Sequence, residues 1–402
     1  MTLASLLCGG AADLCLIALW GRSLAATVLG CLFLARPRGG TVAGWEDAAV
    51  AGRMGAIVPA YNEERSIEKT VSRLGAALGA GCRLLVIDDG SRDQTAARAE
   101  AAMHDPAMRL MRLPQNRGKA AALNAGVRAL SESFLLTVDA DTVTDRASVS
   151  AALALAEESG ADAVSFWIDV DRDQAGWLAR LQFIEYATTM NFERAAQSWM
   201  GSISVMPGAA TLFRASALPT GPFSARTSTE DADLTLQMMA KARHLVLCPA
   251  ARARTIAPST IRSLLRQRCR WTLGHLQCCL LHTLQSQGAW RFRWLTLPNF
   301  ALSTVAPVLM PLALLLLVLA GTTPVFHLTL PAAFLISTGL VYGQRLLATL
   351  LLGLPPSDWL PVLIEPIVSG FIQAVSFLLA FARLCSLSRH GRLEWGRPDW
   401  TK

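Results

Sequence analysis

Apolar and polar positions along the middle of the chain recur with the periods of helices and strands. One helix is predicted by four apolar residues spaced for a single face: Ile67, Val71, Leu74 and Leu78. Further helices are predicted over residues 119–130 and 234–242. Short apolar runs typical of buried strands cover residues 56–58, 83–87, 108–113 and 134–138. Because strands and helices alternate, we expect an α/β domain with a largely parallel sheet over residues 52–258.

Long apolar runs follow this region. Residues 296–320 contain no charged residue and are long enough to cross a bilayer. Residues 326–354 and 360–382 are also apolar, apart from Arg345 and Glu365. Three spans would place a basic tail outside the cell, against the positive-inside rule. Two spans with an interfacial or re-entrant segment would keep that tail inside, and the sequence leaves both topologies open.

The first part of the chain is apolar as well. Residues 3–35 carry only Asp13 and Arg22 as charged side chains. The run is too long for a cleaved secretory signal and has no basic residue before it. We therefore interpret it as one retained span or two short ones. Arg36 and Arg38 follow directly, which places the middle of the chain in the cytoplasm.

Composition agrees with a membrane protein. Charged residues make up 17% of the 402 residues, against about 25% in a typical soluble domain. The net charge of +7 favours basic residues at membrane edges and a phosphate-binding face over nucleic acid. Six arginines just before the apolar runs fit lipid headgroups: Arg262, Arg266, Arg268, Arg270, Arg291 and Arg293.

Cysteine and histidine give no sign of a metal site. The nine cysteines are scattered without zinc or disulfide spacing, so we expect them to behave as small apolar residues. His275 and His282 are seven residues apart on a predicted helix and share a face. With no further ligand in the pattern, a packed or interfacial role is favoured for both.

Two acidic motifs end predicted strands. The carboxylates of Asp88 and Asp89 could accept a hydrogen bond from the imide N–H of uracil, although Asp-Asp-Gly-Ser also suits an ordinary capping turn. In Asp139-Ala140-Asp141 the two carboxylates point the same way on an extended chain. They could hold a hard cation against a diphosphate. A solvated loop is the alternative.

Two further motifs precede or lie on helices. In Thr229-Glu230-Asp231 a carboxylate could act as general base on a sugar hydroxyl, but acids are also favoured at a helix start. Gln267-Arg268-Cys269-Arg270-Trp271 lies on a basic amphipathic helix. Arginine offers a planar fork to phosphate, and tryptophan offers an apolar face to a sugar ring. An interfacial helix with an anchoring tryptophan is the alternative.

Taken in order, these motifs resemble those of the processive family 2 glycosyltransferases, which include cellulose, chitin and hyaluronan synthases. The matching segments are residues 58–63, 88–91, 118–119, 123–124, 139–141, 229–231 and 267–271. Within that family the chain is most similar to the poly-β-1,6-N-acetylglucosamine synthases of bacterial biofilms. The segments that favour this group are 116–124, 184–187, 211–214 and a basic tail with Trp395 and Arg397.

The resemblance implies an α/β GT-A fold and a donor site for a UDP-sugar. It places four residues at the uridine: Tyr61, Glu63, Asp88 and Asp89. Lys119 is implied near the nucleotide, and Asp139 in contact with UDP. Asp141 is the implied ligand of Mg2+ or Mn2+, the expected cofactor. Gln267 and Arg270 are implied to hold the diphosphate.

The resemblance also implies an acceptor site, where Asp231 is the catalytic base and Trp271 stacks on the acceptor sugar. Residues 199–207 are a candidate lining of this site, and their unfamiliar sequence leaves acceptor and linkage open. The expected function is polymerisation of N-acetylglucosamine from UDP-GlcNAc into an exported β-linked polysaccharide, with 1,6 linkage. The alternatives are a synthase using another UDP-sugar and a non-processive transferase acting on a lipid.

The expected organisation has five parts. They are an N-terminal membrane segment (1–36), a cytoplasmic catalytic domain (52–258), interfacial helices (259–294), a membrane region (295–384) and a basic tail (385–402). We expect a multi-pass protein of the bacterial inner membrane. Its expected partners are the UDP-sugar donor, the growing polysaccharide, the lipid bilayer and a small membrane accessory subunit, but not nucleic acid.

Overall fold

A computed structural model describes residues 3–36, 52–171, 176–284, 288–324 and 326–389. Most of the expected basic tail, with Trp395 and Arg397, lies outside the described residues, and so does Arg38. The helices of the described residues are α1 (Leu3–Ala35), α2 (Ile67–Leu78), α3 (Thr95–Ala101), α4 (Lys119–Ala129), α5 (Arg146–Glu158), α6 (Trp177–Glu185), α7 (Asn191–Trp199), α8 (Glu230–Ala240), α9 (Ile261–Leu284), α10 (Leu297–Ala320), α11 (Leu330–Leu351) and α12 (Trp359–Arg389). Single π-helical turns join α6 to α7 (Tyr186–Met190) and precede α10 (Phe292–Thr296).

The described strands form one mixed sheet. They are β1 (Met54–Ala60), β2 (Arg83–Asp88), β3 (Met108–Arg112), β4 (Phe134–Val138), β5 (Thr142–Thr144), β6 (Ala163–Val170), β7 (Ala210–Arg214) and β8 (Leu245–Thr255). Their order is β3-β2-β1-β4-β7-β6-β8-β5. The first four strands are parallel, but β7 is antiparallel to both neighbours and β5 is antiparallel to β8. The prediction of a largely parallel sheet is therefore right for the first four strands, while in the second half only β6 and β8 pair in parallel. The difference arises because an apolar run does not encode strand direction.

Two element boundaries differ from the prediction for physical reasons. We expected β1 to stop at Pro59, but it continues to Ala60. The pairing of β1 with β4 ends at Ile57, so Pro59 has no partner strand on the β4 side. Proline is tolerated there because it need not donate a ladder hydrogen bond on that side. Helix α8 begins at Glu230, four residues earlier than predicted, where its acidic first turn is favoured by the helix dipole.

The core lies on both faces of the sheet. On β1, Met54, Ala56 and Val58 face one apolar cluster while Ile57 faces the other, as the twofold period of a strand requires. Helix α2 buries its predicted apolar stripe in the first cluster. Helices α4 and α8 pack in the second. The sheet is thus covered on both faces, and its carboxyl edge is where ligands bind in such folds.

Four helical segments of the described residues are long and apolar enough to cross a membrane. They cover Ala4–Ala35, Phe292–Ala320, Leu330–Leu351 and Pro356–Ser386. The N-terminal run is thus one helix and not two short ones. Its 33 residues correspond to roughly 50 Å, more than the hydrocarbon core of a bilayer requires. The Phe192 ring lies against Gly30 near the end of α1, so this helix also contacts α7.

Candidate active site

Most of the predicted site residues line one cavity of about 340 Å³ at the carboxyl edge of the sheet. Seven of the eleven do so: Lys119, Asp139, Asp141, Asp231, Gln267, Arg270 and Trp271. Four elements supply them: the end of β4, the N-terminal turns of α4 and α8, and one face of α9. The remaining four, Tyr61, Glu63, Asp88 and Asp89, follow or end β1 and β2 at the same edge, outside the lining of this cavity.

Lys119 is the central cation of this edge. Its Nζ lies 2.5 Å from Asp139 Oδ1 and 3.3 Å from Glu230 Oε1. Burial opposes its charge, but the carboxylates of Asp139, Glu230 and Asp231 more than offset that effect, so its pKa is raised. Lys119 is therefore a permanent positive charge between the acidic motifs that end β4 and begin α8.

Asp231 lies where α8 begins and is held by two backbone donors. Its Oδ2 accepts from Gly208 N at 3.0 Å, and its Oδ1 accepts from Ala232 N at 2.8 Å. Burial and then the neighbouring Glu230 carboxylate raise the pKa of Asp231. A fixed carboxylate with raised proton affinity has the properties of a general base.

Asp139 and Asp141 are crowded carboxylates. Burial is the main reason that the pKa of each is raised. Asp141 repels Asp139, and the Glu63 carboxylate repels Asp141. Among the described residues, no group of three or more His, Cys, Asp or Glu side chains is arranged to hold a metal alone. The arrangement fits Mg2+ or Mn2+ all the same, because such an ion usually combines one or two carboxylates with substrate phosphates.

The Asp-Asp-Gly-Ser motif is tied to the backbone at the end of β2. Asp88 Oδ1 accepts from Ser91 N, as in a capping turn. Asp89 accepts from the backbone of Arg117 and Gly118, which fixes the loop that leads to Lys119. Gly90 has a φ of 74°, and a side chain there would meet the backbone of residues 115–116 at 2.8 Å. The proposed contact of these aspartates with uridine stays a prediction.

Helix α9 lines the cavity next to α10, the candidate membrane helix whose Phe300 and Ser303 also line it. Gln267 lines the cavity, and its buried Oε1 has no hydrogen-bond partner among the described residues. A buried amide without a partner is costly unless a ligand satisfies it. The helix lies close to α8, because Gly274 packs directly against Thr229. Gln277 Oε1 also accepts from Ser228 N at 2.7 Å.

The arginines expected at lipid headgroups do not all lie at the surface. Arg262, Arg270, Arg291 and Arg293 are exposed, while Arg266 is half-buried. Arg268 is the clear exception, since its side chain is 5% exposed and pairs with Glu185. The prediction is wrong for this residue because a helical charge pattern does not show which element packs against each face.

Comparison with known proteins identifies the domain. The glycosyl transferase family 2 profile matches residues 56–220. The chain carries a family 2 glycosyltransferase domain. A solved mannosyltransferase from Pyrobaculum calidifontis, in complex with GDP-Man and Mn2+, has a TM-score of 0.63 over 92% of this chain and 99% of its own. At 20% identity that likeness shows the fold alone, which is GT-A.

Curated relatives of this glycosyltransferase domain act on N-acetylglucosamine by name. A poly-β-1,6-N-acetyl-D-glucosamine synthase of Staphylococcus aureus (strain COL) is 28% identical over 240 residues, 59% of this chain and 58% of the relative. An N-acetylglucosaminyltransferase of Azorhizobium caulinodans is 31% identical over 245 residues, 57% of this chain and 62% of the relative. The chain thus spans about three fifths of the length of these relatives.

Several residues that line the cavity were not predicted from the sequence. Arg194 lies there half-buried, and desolvation lowers its pKa to about 10 although Asp231 opposes the shift. Its Nε donates to Val205 O at 3.2 Å. Ser204, Val205 and Pro207 also line the cavity, within the segment flagged as a candidate acceptor lining. No motif marks Arg194, since a lone arginine on an amphipathic helix is usually a solvated residue.

The two histidines have separate surroundings. His282 is buried in a polar cluster, with Nε2 2.8 Å from Asp233 Oδ1. Asp233 also receives two hydrogen bonds from Arg226. His275 lines the cavity and packs against Phe300 with ring centroids 5.0 Å apart. Burial lowers the pKa of His275 to about 4, so it is a neutral ring at physiological pH.

Proposed function

We propose that this protein is an inverting, processive glycosyltransferase that polymerises N-acetylglucosamine from UDP-GlcNAc into a β-1,6-linked polysaccharide and exports it. One observation carries the proposal. A single cavity joins the acidic motifs of the GT-A sheet edge to Gln267, Arg270 and Trp271, and it reaches Phe300 and Ser303 on α10, a candidate membrane helix. The names of the relatives support the choice of sugar.

The donor side of the proposed site follows from charge. The diphosphate needs cations and hydrogen-bond donors, which Lys119, Arg270 and Gln267 supply in one cavity. Tyr61, Glu63, Asp88 and Asp89 are proposed at the uridine, at the ends of β1 and β2. Asp141 is proposed to hold Mg2+ or Mn2+. When bound there, the ion neutralises part of the charge that develops on the leaving UDP.

The chemical step is a displacement at the anomeric carbon. The acceptor hydroxyl oxygen attacks that carbon from the face opposite UDP, and its proton passes to Asp231. The bond from the anomeric carbon to the β-phosphate oxygen breaks, and its electron pair leaves with UDP. Attack from the opposite face turns the α-linked donor into a β-linked product. Arg270 and Lys119 stabilise the leaving charge, and fixed charges of this kind are worth most in an enclosed site.

The acceptor side explains processivity. Trp271 gives an apolar face on which the terminal sugar can stack, one helical turn from His275. If the chain end stays on this face while UDP leaves, the polymer need not dissociate between additions. We propose a bacterial inner-membrane protein with its catalytic domain in the cytoplasm, so that the chain grows beside the helices that cross the membrane. A small membrane accessory subunit is a proposed partner.

The direct test is a product assay. Purified protein in detergent, and protein reconstituted in vesicles, is given one radiolabelled UDP-sugar at a time, and the product is weighed and its linkage determined. We expect a GlcNAc polymer from UDP-GlcNAc, no polymer with EDTA, and recovery when Mg2+ or Mn2+ is restored. Incorporation of glucose alone, or a single sugar on a lipid, would overturn the proposal. Full activity after exhaustive EDTA treatment would overturn the metal assignment.

A further inference from the structure

One side of Trp271 is covered by a buried charge. The guanidinium carbon of Arg268, three residues earlier on α9, lies 4.3 Å from the centroid of the Trp271 ring. Trp271 is half-buried, packs on the first core cluster and lines the cavity. Since a planar guanidinium stacks well on an indole, Arg268 restricts how the ring can turn. Only the remaining surface of the ring is left to a ligand.

Arg268 is itself fixed by Glu185. Its Nη2 donates to Glu185 Oε2 at 2.7 Å, and the two side chains are 5% and 4% exposed. A buried ion pair needs good geometry to offset the cost of desolvation. Loss of either partner would leave the other as an uncompensated buried charge. Glu185 ends α6 and does not line the cavity. Any effect of Glu185 on a bound sugar must therefore pass through another residue.

The pair is connected to the candidate membrane helices. Gln373 on α12 donates to Glu185 Oε1 at 3.4 Å. Helix α12 also packs along α9, where Phe377 and Ala380 meet Leu273 and Leu276. The position of Arg268 is thus set jointly by the catalytic domain and by a helix of the membrane region.

We propose that Arg268 and Glu185 are positioning residues that orient Trp271 as the platform for the acceptor sugar. The proposal rests on the proposed function, because it takes the ligand of Trp271 to be the end of a GlcNAc chain. Arg268 acts by stacking on the indole, and Glu185 acts by holding Arg268 in place. Neither residue lines the cavity in which the donor diphosphate is proposed to bind.

The test separates acceptor use from donor use. Arg268→Lys keeps the charge that pairs with Glu185 but loses the planar guanidinium. Glu185→Gln removes the negative charge that pairs with Arg268. Arg262→Ala, an exposed arginine of the same helix, is the matched control, and Trp271→Ala is the reference for a lost platform. We expect both test variants to raise the KM for a soluble GlcNAc oligosaccharide about tenfold, the size of one good cation–π contact. The KM for UDP-GlcNAc should stay within about twofold.

Equal changes in the two KM values, or changes no larger than those of Arg262→Ala, would show that Arg268 and Glu185 are merely structural. Saturation-transfer NMR of the same oligosaccharide measures binding without turnover. A wild-type protein that binds the oligosaccharide but transfers nothing would refute the proposed function, and weaker binding by Arg268→Lys would still support the positioning role. A wild-type protein that binds no oligosaccharide would refute both. If Glu185→Gln does not fold, Arg268→Lys decides the question.

Discussion

Asp231 is held by two backbone N–H groups and has a raised pKa, which are the features expected of the base. Asp231→Asn keeps the size of the side chain but removes its ability to take a proton. We expect the transfer rate to fall by about 10²–10⁴, while UDP binding is retained. Initial rates with UDP-GlcNAc and calorimetric binding of UDP measure the two effects.

Asp162→Asn is the matched control for this change, because Asp162 also accepts a backbone hydrogen bond, from His244 N, but lies outside the cavity lining. It should leave turnover near the wild-type level. Turnover by Asp231→Asn at the level of this control would assign the base to another residue.

Glu230 contributes to the raised pKa of Asp231. Burial and then the Glu230 carboxylate raise the pKa of Asp231, and a base is active only when deprotonated. Activity should therefore fall as the pH drops through this raised pKa, above the ordinary value of about 3.9. Glu230→Gln removes the neighbouring negative charge, so the pKa of Asp231 should fall and the acid limb should move to lower pH.

The measurement is the pH profile of kcat/KM for UDP-GlcNAc in the two proteins. Glu230 also pairs with Lys119, and releasing that ammonium group strengthens its pull on Asp231 in the same direction. An acid limb that moves to higher pH, or does not move, would contradict this electrostatic account.

Site residues that belong to short motifs could be predicted from the sequence. Residues whose role depends on tertiary packing could not. Asp139, Asp141 and Asp231 stand next to predicted strand or helix ends, so their gathering at one edge follows from the fold class. Arg194 lies in an ordinary helix, and Glu185 was marked only as part of segment 184–187, without a role. Only the tertiary structure brings Arg194 to the cavity and Glu185 to Arg268. The carboxylates of Asp88 and Asp89 show why a motif alone leaves roles open, since both also hold local backbone.

At the scale of elements, the approach of α9 to α8 depends on one glycine. A Cβ at Gly274 would lie 2.3 Å from Thr229 Oγ1, closer than any real contact. Gly274→Ala should therefore push α9 away from the start of α8, which carries Asp231. We expect a loss of about 1–3 kcal/mol in stability from overpacking, larger than the gain of about 1 kcal/mol from removing a helical glycine.

Thermal unfolding in detergent and the rate of transfer test this expectation. Gly339→Ala on α11 is the control, because a Cβ there meets nothing within 4 Å. The prediction fails if the two variants unfold at the same temperature, since only one of them is crowded.

Element types were predictable where the apolar period was clear, as in α2 and β4. The later strands were not predicted. Strand β6 is buried on both faces over most of its length, and its largely apolar run, interrupted by Ser165 and Asp169, has no clear twofold period that would distinguish a strand from a buried helix. The antiparallel direction of β7 depends on how the chain crosses the molecule through α6 and α7. No local pattern encodes that path.

On the scale of the whole molecule, an ion pair joins two candidate membrane helices. Arg345 Nε on α11 donates to Glu365 Oε2 on α12 at 3.1 Å, and Glu365 is fully buried. Arg345→Met leaves that carboxylate without its partner and should cost about 3–5 kcal/mol. The double variant Arg345→Met/Glu365→Met removes both charges and should recover much of the loss.

Melting temperatures in one detergent compare the two variants. A double variant less stable than Arg345→Met would show that the charges stabilise the helices beyond mutual neutralisation. The sequence had marked both residues only as interruptions of apolar runs. Their pairing could not be predicted because it depends on the rotation of each helix about its axis.

The contact between the first helix and the cavity wall has a practical consequence. Arg22 Nη2 lies 2.6 Å from Glu193, which lines the cavity, and Gly30 leaves room for the Phe192 ring, which a Cβ would meet at 2.6 Å. An unrelated apolar helix of equal length and hydropathy would lack both the Arg22–Glu193 ion pair and the space that Gly30 leaves for Phe192. Replacing α1 with such a segment would therefore remove two contacts that hold α7 against the cavity. A chimaera that keeps these contacts must carry α1 and α7 from the same protein.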